Sequence, residues 1–198
     1  MVTSNESGKI GALLLAAGFS RRFEGCKLAA TLSDGKTLFS HSLKPVRDAF
    51  TDVFIIGREA LFEQGVYDSA EGLDIILNPD AEAGMGNTLA CGARMIPDDW
   101  QAVAICLADM PRLKVSTLKQ LAAEAKSNRI VIPVFGDQPG HPVIFGAWFF
   151  SALQQCHGDS GARQLIKDHP DAVVRVQVND ASVLQDVDDR QTLAALGE

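Results

Sequence analysis

The chain lacks the marks of several protein classes. Its four cysteines, Cys26, Cys91, Cys106 and Cys156, contain no C-x-x-C pair; they read as reduced thiols of a cytoplasmic protein rather than a disulfide framework. The four histidines, His41, His141, His157 and His169, are equally dispersed and give no zinc-ligand spacing. No apolar run approaches the roughly 20 residues that a membrane-spanning helix requires. Repeats, low-complexity tracts and linkers are missing as well. So is an excess of positive charge: 18 Lys and Arg against 25 Asp and Glu leave a net charge of -7, which argues against nucleic acid or a membrane as partner. At 198 residues and 46% hydrophobic content, the chain suffices for one domain, 1–198, with a sizeable core, and is short for two.

Two familiar phosphate loops are also absent. The Walker pattern fails because six residues separate Gly18 from Gly25 and Cys26 intervenes before Lys27. No G-x-G-x-x-G follows the first apolar segment, which argues against a nicotinamide or flavin oxidoreductase. What stands there instead is LLLAAGFSRRFEGCKL, Leu13 to Leu28. Ile10 to Leu15 reads as a buried strand whose C-terminal end opens onto the crevice where open α/β sheets bind ligands. Gly18 and Gly25 let backbone N–H groups approach phosphate oxygens, and Arg21, Arg22 and Lys27 supply neutralising charge. On composition alone the same stretch is also a Gly turn beside a solvated basic cluster. With one lysine, Lys9, before the apolar run and acidic Glu6 close by, it is expected to be a folded strand rather than a secretory leader.

Strand and helix then alternate. Helices are expected over Thr37–Phe50, interrupted near Pro45, and over Glu59–Asp68, Met85–Ile96, Thr117–Lys126, Trp148–Gln155, Ala162–Lys167 and Arg190–Leu196. Strands are expected over Asp52–Ile56, Leu73–Leu77, Ala102–Leu107, Arg129–Val134, Val143–Phe145 and Ala172–Val178. The turn-forming run Asp137-Gln138-Pro139-Gly140 makes one hairpin within the alternation. The fold class is therefore α/β: a mainly parallel sheet covered on both faces, with one antiparallel insertion.

Chemistry-bearing residues collect at expected strand ends. Asp109 follows the apolar run Val103–Ala108, where a carboxylate either holds Mg²⁺ against a nucleotide phosphate or fixes a turn before Pro111. Asp186-Val187-Asp188-Asp189 offers a second ligand in Asp188, while Asp188 and Gln191 would form a capping box for the last helix; capping alone and capping together with metal binding are both open. Asn78 and Gly84-Met85-Gly86-Asn87-Thr88 suit a base and ribose, or a turn in which Asn87 or Thr88 caps a helix. His141 touches substrate or decorates the hairpin. Arg163 faces a phosphate from a helix that Asp159 or Ser160 would cap.

Taken together, these residues resemble the molybdenum cofactor nucleotidyltransferases of the MobA-like superfamily, most closely the cytidylyltransferase branch. The family opens with Leu-Ala-Ala-Gly-x-Ser-x-Arg-Met-Gly-x-x-Lys, matched here by Leu15, Ala16, Ala17, Gly18, Ser20, Arg22 and Lys27, with Phe23 and Glu24 in place of Met and Gly. Leu107–Pro111 resembles its metal-binding segment and Gly84–Leu89 its base-side loop, with Thr88 for a common Ser. Gly140–Val143 and Gly158–Arg163 resemble its pterin-side segments, and Asp186–Asp188 its closing acidic motif. The matches run in family order over nearly the whole chain. The resemblance implies a Rossmann-like three-layer α/β/α nucleotidyltransferase fold and Mg²⁺ held by Asp109 and Asp188. Arg22, Lys27 and Asp109 would be catalytic. Leu15 to Gly18, Ser20, Asn78, Gly84 and Thr88 would bind the nucleotide, and His141 and Arg163 the pterin. The implied reaction transfers CMP from CTP to molybdopterin, with a molybdoenzyme apoprotein as onward partner. Ala17 points to CTP, since the guanylyl branch shows Ala-Gly-Gly. Another small-molecule nucleotidyltransferase shares the phosphate chemistry, and a delivery protein would bind nucleotide or pterin without turnover.

Overall fold

Successive residues of the first strand point to opposite sides of a sheet, and here both sides are covered. The computed structural model describes residues 8–20, 23 and 25–195. Strand β1 (Lys9–Leu15) sends Ala12 and Leu14 into one core and Leu13 and Leu15 into the other. The same division holds in β2 (Val53–Gly57), where Ile55 and Ile56 part company, and in β4 (Trp100–Leu107), where Ala104 and Cys106 oppose Val103 and Ile105. An unbroken apolar run is what a strand buried on both faces requires. Helices α1 (Leu38–Ala49) and α4 (Val115–Ala123) fill the first core with Phe39, Leu43, Leu118 and Leu121. The second core takes Leu89 and Ala93 from α3 (Met85–Ala93) and Leu153 from α5 (Phe150–Leu153).

The remaining elements are α2 (Glu59–Glu63), β3 (Asp74–Leu77), β5 (Ile130–Phe135), β6 (Gln138–Pro139), β7 (Val143–Gly146), α6 (Arg163–Asp168), β8 (Val173–Gln177) and α7 (Arg190–Ala194). The eight strands form one sheet in the order β3-β2-β1-β4-β7-β5-β6, with β8 on β5. Only β6 and β7 run against the others, so the expected parallel sheet with an antiparallel insertion is what forms. From β1 the chain moves outward to β2 and β3, then crosses back to place β4 on the other side of β1. That reversal opens a crevice at the carboxyl ends of β1 and β4. Among the described residues, no helix is long and apolar enough to cross a membrane.

Three expected elements differ. Helix α1 runs through Pro45 without interruption: its buried face, Leu38, Phe39, Leu43, Pro45 and Val46, compensates the one hydrogen bond that proline cannot make. The helix expected over Glu59–Asp68 stops at Glu63, because Val66 folds back onto the Leu61 carbonyl and carries Tyr67 into the core. The helix expected over Trp148–Gln155 shrinks to a 3-10 turn and α5, since Phe149 and Leu153 reach the core while Trp148 stays 74% exposed.

After β8 the chain is anchored by a buried carboxylate. Asp180, 3% exposed, accepts hydrogen bonds from Thr117 Oγ1 at 2.6 Å and from Ser182 Oγ at 2.7 Å. Burial pushes its pKa up, but these bonds and the Lys114 ammonium outweigh burial and hold the carboxyl below the ordinary value. Its stabilisation is therefore present above the unfolded-state pKa and is lost as pH falls through the lower folded value. Asp180→Asn is expected to cost about 1–3 kcal/mol at pH 7. In urea denaturation the gap from the wild type should narrow below roughly pH 4.

Candidate active site

At the mouth of the crevice, β1 and β4 are paired in register through Leu15 and Leu107, so the residues that follow both strands emerge side by side. The Ala108 amide donates to the Leu15 carbonyl at 3.1 Å, and the Ala16 amide to the Ile56 carbonyl at 2.8 Å. Tyr67 fixes the next peptide: its hydroxyl donates to the Ala16 carbonyl at 3.0 Å and accepts from the Arg58 amide at 3.2 Å. Burial pushes the phenol up to about 12, so it remains a donor at neutral pH. The ring rests on Gly57, where a Cβ would lie 2.6 Å from it.

Beyond Gly18 the loop turns at Ser20, whose φ of 50° is in the left-handed region and whose carbonyl accepts the Phe23 amide. Arg22, expected to bind phosphate, lies outside the described residues, as do Arg21 and Glu24. Phe23 is buried beneath the Arg190 guanidinium, 5.4 Å from the ring centroid. The loop ends at Lys27, whose side chain is 10% exposed. Its Nζ lies 2.9 Å from Asp109 Oδ2 and 3.6 Å from Asp188 Oδ1.

Asp109 and Asp188, the two expected metal ligands, come together, and Asp186 joins them. Carboxylate oxygens of Asp109, Asp186 and Asp188 lie within 4.8 Å of one another. The Val187 amide donates to the Asp109 carbonyl at 2.9 Å, which ties the closing acidic segment to the end of β4. Helix α7 is capped by Asp189, which accepts from the Thr192 amide at 2.7 Å and hydroxyl at 2.8 Å. The capping box considered for Asp188 and Gln191 is thus not formed; Asp188 turns toward Lys27 instead. Three hard oxygen donors suit Mg²⁺ or a cation like it. Asp109 Oδ1 supports the fit, being buried with no hydrogen-bond partner.

A cleft of about 350 Å³ runs from this cluster along the strand ends. Of the expected nucleotide-side residues, Leu15, Ala17, Gly18, Gly84 and Thr88 line it, together with Asp109. Asn78 stands behind this wall, 4% exposed, donating to Thr88 Oγ1 at 3.2 Å. Neither Asn87 nor Thr88 caps α3; its N-cap is Gly84, at φ 114°. Asn87 instead accepts from the Gly158 amide at 2.9 Å, and the Gly86 amide donates to the Gly158 carbonyl at 2.7 Å. A Cβ on Gly84 would sit 2.5 Å from Gly158 backbone atoms. This close approach joins the expected base-side loop to the expected pterin-side loop.

His141 lies near Arg163 on one side and near Asp109 and Asp186 of the acid cluster on the other. The His141 amide donates to the Val183 carbonyl at 2.8 Å, and its Nδ1 is buried without a partner. Burial pushes its pKa down, with Arg163 acting in the same sense and Asp109 and Asp186 opposing. Arg163 is exposed at the start of α6, which neither Asp159 nor Ser160 caps through its side chain. Asp159 lines the cleft instead, with Glu82. Tyr67 and Glu82 are neighbours of the site that the sequence reading does not name, whereas Asp159 belongs to the expected pterin-side stretch Gly158–Arg163. Asp186 had a signal, its position in Asp-Val-Asp; Tyr67 had none locally.

Replacing Tyr67 by Phe strands the Ala16 carbonyl and the Arg58 amide. We expect a loss of about 1–3 kcal/mol in urea denaturation and weaker nucleotide binding by equilibrium dialysis.

Comparison with known proteins agrees with this geometry. Residues 12–173 match the MobA-like NTP transferase domain. The chain is 30% identical to the purine catabolism protein PucB of Bacillus subtilis over 89% of its length and 90% of the relative. It is 28% identical to nicotine blue oxidoreductase of Paenarthrobacter nicotinovorans over the same shares. The crystal structure of a homologue of Mycobacterium tuberculosis Rv0371c, from Mycobacterium sp. strain JC1, superposes with a TM-score of 0.83 at 29% identity, covering 94% of each chain. With β1 and β4 opening one cleft and the glycine-rich loop after β1 leading into it, this chain belongs to the MobA-like NTP transferase family.

Proposed function

We propose that this nucleotidyltransferase moves CMP from CTP to the terminal phosphate of molybdopterin, releasing pyrophosphate and forming the cytosine dinucleotide of the cofactor. One observation carries the phosphate chemistry: Lys27, Asp109, Asp186 and Asp188 converge where the loop after β1 meets the end of β4. The choice of CTP and of the pterin acceptor rests on the resemblance of Leu15–Lys27, Gly140–Val143 and Gly158–Arg163 to the cytidylyltransferase branch. In this reading all of residues 1–198 serve one such domain.

The attacking pterin phosphate oxygen is already anionic, so no general base is needed. It approaches the α-phosphorus in line; the new P–O bond forms as the bond to the bridging oxygen breaks, and pyrophosphate leaves. The protein positions the reactants and balances charge. In this reading the backbone amides of Ala17 and Gly18 meet the phosphates together with Ser20 and Lys27, and the family resemblance adds Arg22, which lies outside the described residues. Thr88, positioned by Asn78, and Gly84 border the nucleoside, while His141 and Arg163 take the pterin side. Asp109, Asp186 and Asp188 would hold Mg²⁺, which supplies charge neutralisation at the transferring phosphoryl group.

The test is a matrix: purified protein with Mg²⁺ and each nucleoside triphosphate, with and without molybdopterin, read for pyrophosphate and dinucleotide. Product from CTP and molybdopterin alone is expected. Product from GTP moves the chain to the guanylyl branch, a different acceptor makes it another small-molecule nucleotidyltransferase, and binding without turnover makes it a delivery protein. In the productive pair, Asp109→Ala should lower turnover about a hundredfold or more; unchanged turnover would remove the metal role.

A further inference from the structure

Lys27 does more in this structure than wait for phosphate. Its side chain is nine-tenths buried, 2.9 Å from Asp109 Oδ2 and 3.6 Å from Asp188 Oδ1, within a triad whose oxygens span no more than 4.8 Å. A divalent cation gathered by those oxygens would lie a few ångströms from Nζ, where two positive centres in a partly buried site repel strongly. The ammonium and the metal therefore call on the same negative charge. Lysine suits an exchange of partners, being a compact charge on a flexible stem. Asp109 meanwhile keeps its other oxygen, Oδ1, buried and unpartnered. Its carboxylate thus retains one coordination direction that Lys27 leaves open.

We propose that Lys27 is the resident counter-ion of the Asp109–Asp186–Asp188 triad, competing with the divalent cation until a triphosphate draws the ammonium onto its own oxygens. The inference rests on the nucleotidyl-transfer reading above and adds an order to it. Without nucleotide the triad's charge is partly offset from within and a bare divalent cation binds weakly. With nucleotide the ammonium has a new partner, and the carboxylates are released to the metal. Linkage makes the effect mutual: whatever metal affinity the triphosphate adds, the metal adds to triphosphate affinity. His141, near Asp109 and Asp186, faces the same cluster but stands outside the set of close oxygens.

The experiment uses Mn²⁺ alone, followed by electron paramagnetic resonance on the nucleotide-free protein. Lys27→Met and Lys27→Gln should each bind Mn²⁺ about tenfold or more tightly than the wild type, whereas Lys27→Arg should stay close to it. Unchanged or weaker binding in the Met and Gln variants overturns the proposal. Should those variants not fold, reductive methylation of the wild type read by peptide mass spectrometry decides. Labelling of Lys27 should rise severalfold at saturating Mn²⁺ while other lysines stay constant; a level or falling signal overturns the proposal. Failure of wild type and variants alike to bind Mn²⁺ would remove the metal site itself, and the transfer reading with it. Equal binding by all removes only the competition.

Discussion

The pairing of β1 with β4 is the constraint on which the rest depends. Parallel strands in register, Leu15 beside Leu107, force the two segments that follow to leave the sheet at one edge. The first is glycine-rich and cationic, and the second opens on the carboxylate of Asp109. Neither has to find the other by folding of loops alone, because the register brings Lys27 and Asp109 within reach. The position is also where strand order reverses, so no crossover helix covers it. A cleft there follows from topology, and its contents follow from what the strands end in.

Electrostatics then explains why such a cluster is tolerated. Three carboxylates within 4.8 Å repel one another, and the chain is already acidic overall. Lys27 offsets part of that repulsion from inside, at the cost of desolvating an ammonium. The arrangement is one that a dication and a polyanionic ligand entering together improve.

Much of this is legible in the sequence. Alternation of apolar runs with amphipathic stretches established the parallel sheet, and Asp137–Gly140 the antiparallel excursion, because these signals are local. The acids were legible too: a carboxylate after an apolar run such as Val103–Ala108 has one place to go. Distance along the chain hid the rest. Tyr67 reaches back 51 residues to the Ala16 carbonyl, and no local pattern distinguishes it from an ordinary core aromatic. Asp188 reads as a cap as readily as a ligand, and only the direction in which the chain enters α7 gives the cap to Asp189. Asn78 read as a base-side contact, whereas packing set it behind Thr88, since a buried amide must find a hydrogen-bond partner.

The closing segment shows how stability and site are joined. From Asp180 to Val187 the chain is pinned at three points: the Asp180 carboxylate to Thr117 of α4, the Val183 carbonyl to the His141 amide, and the Val187 amide to the Asp109 carbonyl. Each links a different element to the same strap, and the last two lie one step from a proposed pterin-side residue and a proposed metal ligand. An acid contributed by so distant a part of the sequence is placed only when the whole sheet has formed. Loosening the strap at Asp180 would therefore be felt at Asp186 and Asp188, because Thr117 and Lys114 hold its start by polar contacts, while Val183 and Val187 seat the rest in the apolar core. The architecture thus makes the placement of its densest cluster of acids depend on the order of that segment.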